Sequence, residues 1–191
     1  GGQPTVAVEA STENAKRLRT NAHLNGDRFR WLNVAVGGKA GGFARITGAR
    51  HEAMETLALT QSEPDAVPVV SLDSLAAEGL IDVTMPVVIK LDVEGVEIEA
   101  LTGAKGLMQR ECVVICEEHG SDRTHGITRH LINELSLSVF VFDPFRCRFI
   151  RLDGIERLDR IKKHPWVGYN VFATSSALWE QRLLSATWKH R

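Results

Sequence analysis

A mostly parallel, doubly wound α/β sheet with one antiparallel strand near the carboxyl terminus is the fold this sequence predicts. Strand patterns alternate with helical patterns along almost the whole chain, as such sheets require. The first alternation, Thr5 to Val36, has the roughly thirty residues a strand–helix–strand unit needs. Apolar runs also stop at carboxylates and turn straight into helices. The sharpest case runs from Val87–Val88–Ile89 through Lys90 and Leu91 to Asp92 and Glu94. A buried parallel strand followed by a helix reads this way.

The elements follow in order. Thr5–Val6–Ala7–Val8–Glu9 is a short strand ending in an acid. Ser11 or Thr12 then caps a helix with Ala15, Leu18 and Ala22 on one face, and Gly26 stops it. Phe29 to Val36 predicts a second strand, closed by Gly37–Gly38. Gly41–Gly42 marks a turn, and Phe43 to Ile46 a short extra strand. Thr47 to Ala66 is polar with little period and is expected to be a loop or lid, with a helical turn or two over Glu52 to Leu59. Val67 to Val70 is extended. Ser71 to Gly79 predicts a capped short helix. Pro86 to Leu91 is the next strand, and Val93, Val96, Ala100, Ala104 and Leu107 repeat behind it at helical spacing. Cys112 to Cys116 is another buried strand, ending in Glu117, Glu118 and His119. A helix over Thr128 to Leu135, strands over Leu137 to Phe142 and Tyr169 to Ala173, and a last helix opened by Ser175 or Ser176 with Trp179, Leu183 and Leu184 complete the chain. No repeat or low-complexity tract interrupts it, so residues 1–191 are expected to form a single domain.

The chain has 191 residues, enough for a substantial core, and a net charge of −1. That balance provides no field to gather nucleic acid or an anionic membrane. The basic run Arg157 to Lys163 is broken by Leu158, Asp159 and Ile161 and reads as a solvated face. No apolar run approaches the ~20 residues of a membrane span. Gly1–Gly2–Gln3–Pro4 lacks the basic-then-apolar pattern of a signal peptide. Cys112, Cys116 and Cys147 make no disulfide framework. Cys112 and Cys116, four apart on a strand, share a face and read as buried thiols in a reduced compartment. The expected location is cytoplasmic.

In open α/β sheets, ligands bind outside the carboxyl ends of the strands. Three strand ends present polar groups there: Glu9, Asp92 with Glu94, and Glu117 with His119. An acid at the second strand of a nucleotide-binding unit commonly accepts hydrogen bonds from a ribose diol, and Glu9 is placed for that role. Its other reading is a strand-end or helix N-terminal charge. Asp92, Glu94, Glu117 and His119 could also gather into an oxygen-rich divalent metal site, but the metal-free reading is preferred.

Val8–Glu9–Ala10–Ser11–Thr12–Glu13–Asn14, Asn21 to Gly26 and Val34–Ala35–Val36–Gly37 resemble the part of S-adenosylmethionine-dependent methyltransferases that follows their glycine-rich loop. Val70 to Leu75, followed by Ile89–Lys90–Leu91–Asp92–Val93–Glu94–Gly95–Val96–Glu97–Ile98–Glu99–Ala100–Leu101–Thr102–Gly103–Ala104, looks like the FkbM-type methyltransferase family. The similarity runs from Val6 to Ala173 and weakens over Gly38 to Ala66 and after Gly120. It implies a Rossmann-like methyltransferase fold and S-adenosylmethionine as cofactor. It also implies methyl transfer to a hydroxyl oxygen of a sugar, glycan or polyketide-like acceptor. By this match Glu9, with Ala10, would bind the ribose. Asn33, Val34 and Ala35 would border the adenine, and Asp92 would lie beside the methyl end. Glu117 and His119 match the acid and histidine that follow the family's next strand. A complete enzyme of this type has an earlier strand and a glycine-rich loop, so the chain is expected to be a fragment lacking both.

Methyl transfer needs an acceptor aligned with the sulfonium and a base for the hydroxyl proton. Asp92, His119 and Glu94 are the base candidates, in that order. An imidazole titrates near neutral pH and suits the task. The other reading of His119 is a surface histidine in a Glu–Glu–His–Gly turn, and that of Glu94 a helix N-terminal charge. Two other classes stay open: a non-catalytic binding module on a decayed methyltransferase fold, and a nucleotide-dependent oxidoreductase, whose dinucleotide fingerprint is absent. Trp166, Tyr169 and Trp179 could stack on a sugar, though core packing is the commoner use of such residues.

Overall fold

The computed structural model describes residues 4–47, 53–55, 63–93 and 95–186. The chain divides into two compact units, Gly1–Thr84 with Val93–Ala104, and Met85–Asp92 with Lys105–Arg191.

The first unit contains β1 (Val6–Val8), α1 (Thr12–Leu24), β2 (Arg30–Leu32), β3 (Ala35–Val36), β4 (Phe43–Thr47), β5 (Ala53–Glu55), β6 (Val67–Val70), α2 (Leu72–Ala77) and α3 (Glu97–Thr102). Ser11 caps α1: its backbone is extended and its hydroxyl accepts the Asn14 N–H, while Ala15 and Ala22 bury the inner face. Gly26, at φ 65°, lets the chain leave the helix. β1 and β2 pair in parallel. β3 and β6 are also parallel, whereas β4 runs antiparallel to both β5 and β6. Ala35, Ala44, Val67 and Val69 form the buried cluster, with Ala10 packed against it.

Two expectations change here. The strand predicted over Phe29 to Val36 is two strands in two sheets. The break falls at Asn33, whose side-chain amide donates to the carbonyls of Glu9 at 2.9 Å and Ala10 at 3.4 Å. Ala53–Glu55 is a strand hydrogen-bonded to β4 rather than part of a helical turn; the β4 edge offers its backbone groups ready partners. Most of the predicted lid, residues 48–52 and 56–62, lies outside the described residues.

The apolar stripe from Val93 to Leu107 is likewise split, into α3 and a shorter helix, α4 (Lys105–Met108). Gly103 explains the break. A Cβ there would collide with the Gly37 carbonyl and lie 3.0 Å from the Ser71 Cβ. Its own carbonyl accepts the Asp73 N–H at 2.8 Å. Ser71 in turn caps α2 with a reciprocal pair of hydrogen bonds to Ser74, at 3.0 and 3.1 Å.

The second unit contains β7 (Val87–Leu91), α4, β8 (Cys112–His119), α5 (Gly126–Arg129) running into a π-helical turn (His130–Glu134), β9 (Ser138–Asp143), β10 (Arg148–Arg151), α6 (Glu156–Ile161), β11 (Gly168–Thr174) and α7 (Ala177–Ser185). Its sheet has the order β10-β9-β11-β8-β7. β7 and β8 are parallel, and β11 is antiparallel to both its neighbours, as expected of a strand near the carboxyl terminus. The β9–β10 hairpin adds an antiparallel pair. Val113, Phe140 and Leu183 form a core cluster with Phe149, Phe172 and Trp179. The rings of Phe149 and Phe172 meet edge to face at 4.8 Å. Cys112 and Cys116 are buried thiols, as their shared face implied. The fold is therefore mixed α/β. Among the described residues, no helix is long and apolar enough to cross a membrane.

Two substitutions test this account by urea denaturation. Ser71→Ala removes the cap and is expected to cost about 1 kcal/mol. Gly103→Ala forces backbone apart and should cost more, roughly 2–3 kcal/mol.

Candidate functional site

The carboxyl ends of β1 and β2 bring Glu9, Ala10 and Asn33 together. Glu9 continues the β1 ladder, its N–H donating to the Leu32 carbonyl at 3.0 Å. Its carboxylate Oε1 accepts the Ser11 N–H at 2.8 Å. The acid is thus held at the strand end by the residue that caps the following helix. The Asn33 amide, bonded to the Glu9 and Ala10 carbonyls, fixes the bend just beyond β2. Val34 is half-buried in that bend, and Ala35 is fully buried in the core cluster. A cavity of about 310 Å³ in this unit lies at the opposite, amino-terminal ends of β1 and β2, between Thr5, Val6 and Arg30. It gathers none of the candidates.

In the second unit, Asp92 follows β7 directly. Leu91 pairs with Cys116 in parallel register, which sets Asp92, just past the end of β7, beside Glu117 of β8. The Asp92 carboxylate is largely exposed and stands 3.6 Å from the Lys90 ammonium, which also donates to the Leu91 carbonyl at 3.0 Å. Glu94 lies outside the described residues. Glu117 and His119 are inside β8 rather than beyond it, because the strand runs on to His119. Residues 113, 115, 117 and 119 share one face of β8, and that face opens from buried Val113 to exposed His119. The Glu117 carboxylate occupies the space a Cβ would take at Gly168, the residue paired with His119. The His119 Nδ1 lies 2.6 Å from the Ser121 hydroxyl and 3.3 Å from the Ser121 N–H.

Glu118 points the other way and is fully buried. Its Oε2 accepts from the Thr128 N–H at 3.0 Å and the Thr128 hydroxyl at 2.5 Å. Its Oε1 faces the buried Lys162 ammonium at 3.8 Å. Lys162 donates to the Asp122 carbonyl at 2.6 Å and meets His125 Nδ1 at 3.1 Å. An ammonium only donates, so His125 Nδ1 accepts, and Nε2 carries the ring proton toward Asp159 at 3.1 Å. Burial pushes the Lys162 ammonium below its ordinary value of 10.5, against the raising pull of Glu118, Asp122 and Asp159. At Asp122, burial raises the carboxyl. Hydrogen bonds from the Thr124 hydroxyl, Gly126 N–H and Thr124 N–H, with the Lys162 charge, outweigh it and hold the carboxyl at about 2.

This network corrects the reading of Arg157 to Lys163 as a solvated face. Lys162 is 1% exposed. The sequence did carry a signal: Lys162 stands four residues after Leu158, itself fully buried, and caps the carboxyl end of α6. Glu118 was grouped with Glu117 as a strand-end acid, although strand alternation separates them. Of the aromatic residues, Trp179 packs in the core and donates to the Glu111 carbonyl at 3.2 Å. The Tyr169 hydroxyl accepts from the Lys163 and His164 N–H groups. Trp166 is 77% exposed. Among the described residues, no three His, Cys, Asp or Glu side chains are grouped so as to hold a metal ion.

The family model of the methyltransferase FkbM domain matches residues 1–139. The crystal structure of Methyltransferase FkbM from Methylobacillus flagellatus KT is similar, with a TM-score of 0.53 and 15% sequence identity over 88% of this chain. This chain covers 36% of that protein, and the likeness is one of fold. No curated protein matches the chain.

The Asp122 carboxyl supplies a test of the network. A depressed folded-state pKa contributes stability that is complete above the unfolded value near 3.8 and is lost as pH falls through about 2. Between those limits the wild-type chain should lose on the order of 1 kcal/mol more than Asp122→Asn, after allowance for solvent screening. Urea denaturation at each pH measures the difference.

Proposed function

The chain belongs to the methyltransferase FkbM domain family, and from that premise we propose that it is part of an S-adenosylmethionine-dependent O-methyltransferase acting on a sugar, glycan or polyketide-like hydroxyl. The observation that carries this reading is Glu9 held at the end of β1 by the Ser11 N–H, next to the bend fixed by Asn33. A ribose diol offers two hydroxyl donors, and a carboxylate accepts both. Because the helix cap already orients Glu9, little side-chain freedom remains to be lost on binding. Asn33, Val34 and Ala35 are assigned to the adenine edge.

S-adenosylmethionine would supply a methyl group already activated by its sulfonium. The methyl group would pass to the oxygen of the acceptor hydroxyl. The hydroxyl proton leaves to a base. Asp92 is assigned first to the sulfonium charge and second to the base role. An exposed carboxylate at a strand end can approach a cation without a large desolvation cost. His119 is the second base candidate, with an exposed imidazole whose Nδ1 is already engaged by Ser121. For Nε2 to take the proton, Nδ1 must carry the ring's own proton and donate it to the Ser121 hydroxyl, the shorter of its two contacts. Glu117 borders the same strand end.

The fold that accompanies this reading is a Rossmann-like methyltransferase sheet. The parallel pairs β1–β2, β3–β6 and β7–β8 and the antiparallel β11 support it. A cytoplasmic location goes with a cysteine content too low for a disulfide framework, Cys112, Cys116 and Cys147.

Titration calorimetry of the full-length protein with S-adenosylhomocysteine tests the proposal. Glu9→Ala should weaken binding at least tenfold, in line with the loss of about 1.5–3 kcal/mol for a hydrogen bond to a charged group. Absence of binding by the wild-type protein would overturn the reading.

A further inference from the structure

We propose that Lys162 is a positioning residue for His119, acting through the Asp122 backbone. The inference rests on the assignment of His119 as a base candidate. His119 is exposed, so core packing does not fix its ring. Its orientation comes from the turn that follows β8. The Asp122 N–H donates back to the His119 carbonyl at 3.1 Å, closing that turn. Within it, Ser121 holds the imidazole Nδ1.

The Asp122 residue is in turn held from three sides. Its N–H is on His119, and its carboxylate is on Thr124 and Gly126. Its carbonyl takes the 2.6 Å hydrogen bond from Lys162. Lys162 comes from the far end of α6, forty residues along the chain, and its side chain is fully buried. Its backbone N–H donates to the Leu158 carbonyl at 2.7 Å, so the residue's main chain is fixed to the end of α6. The groups facing it are Glu118 from β8, Asp122, Arg123 and His125 from the turn, and Asp159 from α6. The turn carrying His119 is thus tied to a rigid element by a charged donor that water cannot readily replace. A base needs its reacting nitrogen held closely in place, and here the restraint lies two hydrogen bonds away from the ring-bearing residue.

The test uses the full-length protein in four forms: wild type, Lys162→Met, the double variant Glu118→Gln with Lys162→Met, and Ser121→Ala as a reference for a released ring. The double variant removes both buried charges together, which spares the fold an unpaired carboxylate. Long-range proton–nitrogen spectra of the histidine rings and the carbethoxylation rate of His119 with diethyl pyrocarbonate are the readouts. Both Lys162 variants should move the His119 ring signals toward their Ser121→Ala positions and change the carbethoxylation rate at least threefold. Wild-type His119 signals and rate in a folded Lys162 variant would overturn the proposal. So would loss of the fold in both variants, which would assign Lys162 to stability alone. S-adenosylhomocysteine affinity, measured on the same samples, should stay within twofold of wild type. Failure of the wild type to bind it would remove the methyltransferase reading without altering the His119 result.

Discussion

Glu118 is carried into the interior by the two-residue period of β8, and much of the second unit is arranged around that fact. Once Cys112, Val114 and Cys116 face the buried layer, Glu118 must follow them. A buried carboxylate without partners is prohibitively costly. Thr128 satisfies one oxygen from the start of the next helix, and Lys162 neutralises the charge from the end of another. His125 then fills the space beside Lys162 in a left-handed backbone conformation, φ 54° and ψ 49°. Removing one member of such a pair typically costs 3–5 kcal/mol, yet an apolar pair of the same volume is often as stable or more so. The pair is therefore better understood as fixing one arrangement than as adding net stability.

The first unit uses a weaker version of the same device. There the polar groups are at the edge rather than buried, and hydrogen bonds suffice without a buried ion pair. Asn33 diverts the chain from one sheet to another by occupying the Glu9 and Ala10 carbonyls. Ser11 starts a helix and orients an acid through one backbone N–H. In both units a strand end is shaped by side chains that bond to backbone, so the chemistry-bearing residues inherit their geometry from secondary structure.

The readable parts of the sequence were those governed by local rules. The caps at Ser11 and Ser71, the stop at Gly26, the strand of β7 and the shared face of Cys112 and Cys116 all followed from spacing and residue type. The strand ends bearing Glu9 and Asp92 were also legible, because an apolar run reveals where it stops, whereas β8 runs past Glu117 to His119. What escaped depended on partners distant in sequence. The split of the second predicted strand turns on carbonyls more than twenty residues earlier in the chain. The division of α3 from α4 depends on Gly37 pressing on Gly103. Lys162 was hidden by its basic neighbours, and only its place four residues after Leu158 distinguished it.

The division of the chain also has a consequence for the order of synthesis. Residues 85–92 belong to the second unit, but 93–104 return to the first. The first unit therefore cannot be completed until Ala104 has left the ribosome, by which time β7 has already emerged. β8, the neighbour of β7 in the sheet, follows it in the chain, and among the described residues no other strand of that sheet precedes it. A nascent chain passes through a stage in which β7 is made and its neighbour β8 is not, while the unit before it is still being closed.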